Sequence, residues 1–323
     1  MRFPVNFWMK RRVSPAAWAG LGSRFRADFS RCTRIIGVLR VLALVGLVQA
    51  CSTLKIVYNQ APELAYWYLD GHLDLSGAQS LRLKDELARL QAWHRQSELP
   101  IYIATLQQLQ QQLPQDLGAD AVCAISTDVR SKLMTLSGRA EPAAAALADT
   151  LGAAQLAHLE RSFAKDNARY REEVLDATPR ERRDRRYKRT VSRAQMLYGR
   201  LDDAQLAVIG QRIEQSRFDA ERAHLETLRR QNDALTTLRE LASDQASGQP
   251  STDRSQTAIR GLFERTWNAT DPAERSYQVQ ITQDNCETLA AIHNSTTPAQ
   301  RSEAVQTLRR YERDFTTLLS AKK

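Results

Sequence analysis

The chain is short of the residues that most enzyme chemistry requires. Its five histidines (His72, His94, His158, His224, His293) are never closer than 22 residues, which excludes an HExxH zinc motif. There is no CxxC, no GxSxG and no phosphate-binding loop, and the one GxG, Gly20-Leu-Gly22, lies in the first 50 residues. Carboxylates are plentiful, so no single pair of them marks an acid–base site. Four cysteines in 323 residues are too few for a small disulfide-stapled scaffold. No apolar run reaches the about 20 residues of a membrane span. The longest, Ile35 to Val48, has 14 residues and contains Arg40. Strand-like alternation is confined to Gln278-Val-Gln-Ile-Thr282, too brief to outweigh its surroundings. These absences predict no enzyme, no metal and no cofactor.

What is present starts with Cys51. Arg31, Arg34 and Arg40 precede an eight-residue apolar core, Val41 to Val48, and Gln49-Ala50-Cys51 follows. A basic flank, a short apolar core and a small residue before cysteine form a bacterial lipoprotein signal. Residues 1–50 are therefore expected to be a signal peptide, with a start codon placed too far upstream. Cleavage is expected between Ala50 and Cys51, and Cys51 is expected to carry palmitate-type acyl chains. Ser52, in the sorting position, favours transfer to the outer membrane, periplasmic face. Several acyl chains make a durable anchor where one binds only marginally. Val48 and Gln49 depart from the preferred Leu and small residue of such a site.

The charge balance changes when the leader is set aside. The whole chain is +9, but nine of its 46 basic residues and one of its 37 acidic residues lie in 1–50. The rest holds 37 bases against 36 acids, a net of +1. A nucleic-acid binder keeps its surplus in the folded domain, so no nucleic-acid partner is expected.

Beyond Cys51 the chain is rich in Leu, Ala, Gln, Glu and Arg, all helix formers. Apolar residues recur at helical spacing: Leu83, Leu87, Leu90; Leu106, Leu109, Leu113; Leu156, Leu159, Phe163; Leu206, Ile209, Ile213; Leu225, Leu228, Leu235, Leu238; Val305, Leu308, Tyr311, Phe315, Leu318. The expected fold is all-α, a multi-helix bundle of about eight to ten helices with short connections. Thr178-Pro-Arg-Glu181, Asp271-Pro-Ala-Glu274 and Thr297-Pro-Ala-Gln300 each set a cap, a first-turn proline and a residue that can return the bond. Asp70-Gly71 is expected to end the first helix through a left-handed glycine. The Ser243–Thr252 stretch reads as a linker between a helical domain, 51–247, and a C-terminal hairpin, 254–323, packed on the same body. Leu75-Ser-Gly-Ala-Gln79, Leu151-Gly-Ala-Ala-Gln155 and Leu201-Asp-Asp-Ala-Gln205 share Leu-x-x-Ala-Gln, and Thr296-Thr-Pro-Ala-Gln300 keeps all but the Leu. The plainest reading is four ordinary capping boxes.

Those boxes resemble the LTxxQ motif of periplasmic proteins of the Spy/CpxP type, all-helical chaperones or sensors that cradle clients. Val57-Tyr-Asn-Gln-Ala-Pro62, Tyr66-Trp-Tyr-Leu-Asp-Gly71, Trp93-His94, Leu99-Pro-Ile-Tyr102, Thr178-Pro-Arg-Glu-Arg-Arg183, Tyr198-Gly-Arg-Leu-Asp-Asp-Ala-Gln205 and Ser216-Arg-Phe-Asp219 resemble, in order, an uncharacterised proteobacterial lipoprotein family. That resemblance implies a helical envelope lipoprotein and brings no catalytic residues.

Three features are candidates for function. Tyr58, Tyr66, Trp67 and Tyr68 lie within 17 residues of Cys51. They suit either the headgroup level of a membrane or the core, and core packing is the favoured expectation. Arg180 to Arg189 holds seven bases in ten residues. Arg182, Arg183, Arg185, Arg186 and Arg189 would offer an anion-binding face to an anionic glycolipid or an acidic envelope protein, or would be solvated and paired with acids such as Glu172 and Glu173. Cys123 and Cys286 either pair or stay as two separate buried thiols, since sequence gives no distance. The expected function is a non-catalytic envelope lipoprotein with a helical binding or scaffold domain. The alternative is a Spy-like holdase or stress sensor.

Overall fold

The computed structural model describes residues 53–247 and 252–321. The leader, the Ala50–Cys51 cleavage site, the lipidation site Cys51, the sorting residue Ser52 and linker residues 248–251 lie outside them. Among the described residues there are eleven α-helices and no strand: α1 Thr53–Leu73, α2 Gly77–Trp93, α3 Leu99–Gln112, α4 Ala119–Ala148, α5 Ala153–Tyr170, α6 Pro179–Tyr198, α7 Asp203–Gln215, α8 Ala220–Ala246, α9 Thr252–Trp267, α10 Pro272–Asn294 and α11 Pro298–Ser320. A π turn, His94–Glu98, joins α2 to α3 without a break, and another, Arg171–Leu175, extends α5. The helices thus form ten rods. The fold is an all-α multi-helix bundle. Gln278–Thr282, the one strand-like stretch, is part of α10.

The caps work largely as their spacing predicts. Thr178 and Thr297 close full capping boxes with Glu181 and Gln300. Asp271 caps α10 through the Ala273 amide, but Glu274 does not return the bond. It pairs instead with Arg222 of α8 at 2.8 Å, where a second helix offers it a charged partner. The expected glycine stop at Gly71 is also corrected. α1 runs on to Leu73, which is buried with Leu151, Leu156, Leu159 and Leu235. Burying Leu73 extends the helix past the glycine, and Asp74 takes the left-handed conformation, at φ 50°. Asp70 Oδ1 then accepts the Leu75 amide at 3.2 Å.

The four Leu-x-x-Ala-Gln boxes do more than cap. Each glutamine returns a bond to its own N-cap amide through Oε1. Beyond that the glutamines meet in two pairs, each exchanging amide bonds in both directions. Gln79 and Gln155 bond at 3.2 and 2.9 Å. Gln205 and Gln300 bond at 2.7 and 2.9 Å. Every Nε2 also bonds a carbonyl at the opposing turn: Gln79 to Thr150, Gln155 to Leu73 and Asp74, Gln205 to Ser295, Gln300 to Arg200. The α1/α2 turn is thereby fastened to the α4/α5 turn, and the α6/α7 turn to the α10/α11 turn. Leu151 and Leu201 are buried beside their locks, and Thr296 fills the corresponding place in the fourth box.

Each lock sits over its own core. The larger core draws Leu113, Ala194, Tyr198, Ile209, Ile213, Ile292 and Leu308 from α3, α6, α7, α10 and α11. The second joins α1, α5 and α8. A third packs Ala145 and Ala148 of α4 against Leu241 of α8 and Ile259 and Leu262 of α9. The stretch after the linker is not a hairpin. It forms three helices, α9, α10 and α11, which pack mainly on α4 and α8, on α4 and α7, and on α3 and α6 respectively. Asn268–Asp271 breaks the rod that a hairpin would need, and α9 and α10 share α4 as their main support while α11 packs on α3. On α8, Leu225 and Leu228 are exposed instead of lining the core. The inward residue of that turn is His224, stacked on Tyr170 with centroids 5.2 Å apart.

Candidate functional site

α1 turns several polar side chains inward and several large apolar ones outward. Lys55 Nζ lies 3.5 Å from Asp314 of α11, Tyr66 donates to Ser80 at 3.3 Å, and His72 Nε2 lies 3.1 Å from Asp166. Its outward side carries five large apolar residues. Ile56, Val57, Leu64, Trp67 and Tyr68 are 54, 51, 45, 70 and 53 % exposed. Thr53, Gln60, Ala61 and Gly71 complete this face at helical spacing, and none of the nine is charged. Glu63 flanks it, tied to Lys84 at 3.5 Å. Core packing, the favoured expectation for the aromatic segment, is therefore corrected for Trp67 and Tyr68. Tyr58 and Tyr66 are half-buried, their hydroxyls satisfied by neighbouring elements, and among the described residues no helix lies over the other side of α1 to receive Trp67.

Behind that face lies a polar cluster. His94 opens the π turn between α2 and α3, and its ring sits between two phenols. Tyr58 Oη is 3.0 Å from Nδ1 and Tyr102 Oη is 3.3 Å from Nε2. π turns insert one residue into a helix and often mark functional positions. Here the insertion turns His94 toward α1. Burial lowers the His94 pKa and raises those of Tyr58 and Tyr102; the charge of the buried Glu98 raises Tyr102 further. The cluster joins three of the segments quoted for the lipoprotein resemblance, those around Tyr58, His94 and Tyr102. Periodicity could not single it out, because its members come from three elements.

The basic stretch on α6 is divided by the fold. Arg182 turns in and donates to the Leu175 carbonyl at 2.9 Å. Arg186 donates to Ser216 Oγ at 2.7 Å and lies 4.7 Å over the Phe218 ring, and burial lowers its pKa. Arg182 closes the joint before α6, and Arg186 holds the joint between α7 and α8. Arg183 pairs with Glu214 at 3.1 Å and Lys188 with Asp184 at 2.8 Å. Arg185 donates to the Glu173 carbonyl, and Arg189 to the Arg185 carbonyl at 3.3 Å. Both are exposed, one turn apart, and among the described residues their hydrogen bonds go to backbone oxygens. The five arginines do not form one continuous face.

Cys123 of α4 and Cys286 of α10 are joined by a disulfide, with Cα atoms 5.3 Å apart. Cys286 is almost fully buried beside Val122 and Ala290. The bridge ties residues 163 apart in sequence. Beside it, His293 is held between a donor and an acceptor. The Gln115 carbonyl, 2.8 Å away, can only accept, so Nε2 carries the proton. Nδ1 then accepts from the Tyr198 hydroxyl at 2.9 Å. Burial lowers the His293 pKa and pushes that of Tyr198 up to about 12. Both ring nitrogens are thus engaged.

Among the described residues no group of three His, Cys, Asp or Glu is placed to hold a metal, and no helix is long and apolar enough to cross a membrane. No curated protein and no solved structure matches the chain. One family model does match, over residues 71–250, a stretch that holds three of the four lock glutamines, the π-turn histidine and the basic segment. With more than half of its length covered, the protein belongs to the family of unknown function DUF6279.

Proposed function

We propose that the protein is a non-catalytic lipoprotein of the bacterial cell envelope, held by lipid on Cys51 in the outer membrane. Its helical body would serve as a binding or scaffold domain on the periplasmic face. One observation carries the reading: a basic flank, an eight-residue apolar core and Ala50-Cys51 stand two residues ahead of the first described helix. The Cys123–Cys286 disulfide supports it, because such bonds persist in oxidising compartments and are rare in the cytosol. The intact mass of membrane-extracted protein tests the proposal. Residues 51–323 plus a glyceryl group and acyl chains is the expected species, and a chain that retains 1–50 without lipid overturns it.

For a partner, the chemistry on α6 favours an anionic group at Arg185 and Arg189, an anionic glycolipid or an acidic protein segment. Charge reversal at these two should lower recovery of such a partner, whereas Arg182 and Arg186 would act on stability. The reciprocal glutamine pairs favour a second reading, a Spy-like holdase, since the four boxes that resemble LTxxQ share one architecture. That reading expects suppression of aggregation of an unfolded client at near-equal molar ratio; absence of suppression removes it.

A further inference from the structure

We infer that α1 lies along the membrane surface, with Ile56, Val57, Leu64, Trp67 and Tyr68 seated at the lipid headgroup level. The inference rests on the proposed lipid at Cys51 for the source of the membrane, but its geometry stands on α1 itself. A solvent-facing helix normally shows charge outward and apolar residues inward. On α1, Lys55, Tyr58, Tyr66 and His72 are bonded inward, and of its eleven exposed residues Glu63 alone carries a charge, at the edge of the apolar face and paired with Lys84. Scattered exposed hydrophobics need no explanation, whereas a contiguous face calls for a partner.

The place of the anchor decides between a helix that stands on the membrane and one that lies on it. α1 begins at Thr53, two residues after Cys51. Trp67 is 14 residues farther on, about 21 Å along the axis at 1.5 Å per residue. The headgroup layer on one side of a bilayer is only roughly 6 Å deep. An upright α1 would strand Trp67 and Tyr68 in water, at the end of an apolar face with nothing to cover it. A flat α1 sets every one of these residues at one depth, with the indole and phenol where amphipathic rings are favoured. Lys84 holds Glu63 at the edge of the face, its ammonium 4.2 Å from the Tyr66 ring centre.

The test uses membrane-extracted protein in phosphatidylethanolamine–phosphatidylglycerol vesicles whose acyl chains carry bromine near the headgroup. Bromine quenches only tryptophans that reach the lipid. Beyond the leader the chain has Trp67, Trp93 and Trp267. Quenching should be present in the native protein and fall at least threefold in Trp67→Phe. Leu64→Asp should also reduce it, with helical circular dichroism unchanged. Equal quenching in native protein and Trp67→Phe overturns the inference. So does a concentration-dependent dimer that Leu64→Asp dissolves while Trp67 stays unquenched, since a second copy would then own the face. Mass spectrometry of the same sample separates the two proposals. Lipid on Cys51 without quenching leaves the anchor standing and removes the flat helix. Quenching without lipid keeps the membrane face and removes the anchor.

Discussion

Gln205→Ala should be among the most destabilising single changes at any helix start of this protein. Gln205 is 3 % exposed, and its amide makes four hydrogen bonds to three residues. Oε1 accepts from the Asp202 amide at 3.0 Å and from Gln300 at 2.9 Å. Nε2 donates to the Ser295 carbonyl at 3.0 Å and to Gln300 Oε1 at 2.7 Å. Truncation removes all four and leaves the Ser295 carbonyl and half of the Gln300 amide short of a partner in a partly buried site. A typical intramolecular hydrogen bond contributes about 0.5–1.5 kcal/mol net, and an orphaned buried group costs more. The expected cost is roughly 3 kcal/mol. Gln300→Ala should cost a similar amount, but the double variant less than the sum, because both singles remove the same two bonds. The expected coupling is about 1–2 kcal/mol. Urea denaturation of the four proteins measures it directly. Glu181→Ala serves as the control, since Glu181 closes a capping box with Thr178 but meets no opposing box. Additive costs, or a Gln205→Ala cost no larger than that of Glu181→Ala, would refute the lock and leave four independent caps.

Reduction of the Cys123–Cys286 bridge, or Cys286→Ala, should lower stability by at most about 5 kcal/mol, the loop-closure entropy for a 163-residue separation. A denaturation midpoint unmoved by reductant would argue against the bridge. Stability should also fall on acidification. His94, His224 and His293 have folded pKa values below the ordinary histidine value, each chiefly through burial. Above about pH 6.5 both states hold these rings neutral. Below it the unfolded chain takes up protons that the native state refuses, at up to about 1.4 kcal/mol per pH unit for each ring until its folded pKa is reached. Melting temperatures from pH 7.5 to 5 should show the decline, and His293→Gln should flatten it in part. On α6, Arg186→Ala should cost about 1–2 kcal/mol through its lost bond to Ser216 and its contact with Phe218. Arg189→Ala should leave the denaturation midpoint unchanged, and equal effects of the two would contradict the division of the basic stretch.

Much of this was readable from local pattern. Helical period and the Thr-Pro and Leu-x-x-Ala-Gln starts depend on residues three or four apart, so the all-α class and the N-termini of α6, α10 and α11 follow from the chain alone. The same holds for the charge balance, which needs only the composition on either side of Cys51. The apolar-to-Cys51 pattern supports an expectation about address by the same short-range logic.

Everything that depends on a partner helix had to wait for the tertiary structure. Gln79 and Gln155 are 76 residues apart, Gln205 and Gln300 are 95 apart, and no spacing rule tells four separate caps from two reciprocal pairs. Arg182 and Arg186 share a face with no nearby acid, which in sequence resembles an open anion site. Packing supplied a carbonyl, a hydroxyl and an aromatic ring instead. Trp67 and Tyr68 belong in a core by residue type, and only the absence of a helix over that side of α1, among the described residues, turned them outward. Local pattern sets which elements form, because backbone and cap energies are short-ranged. Burial depends on neighbours distant in sequence, so it decides which side chains remain free to meet anything else.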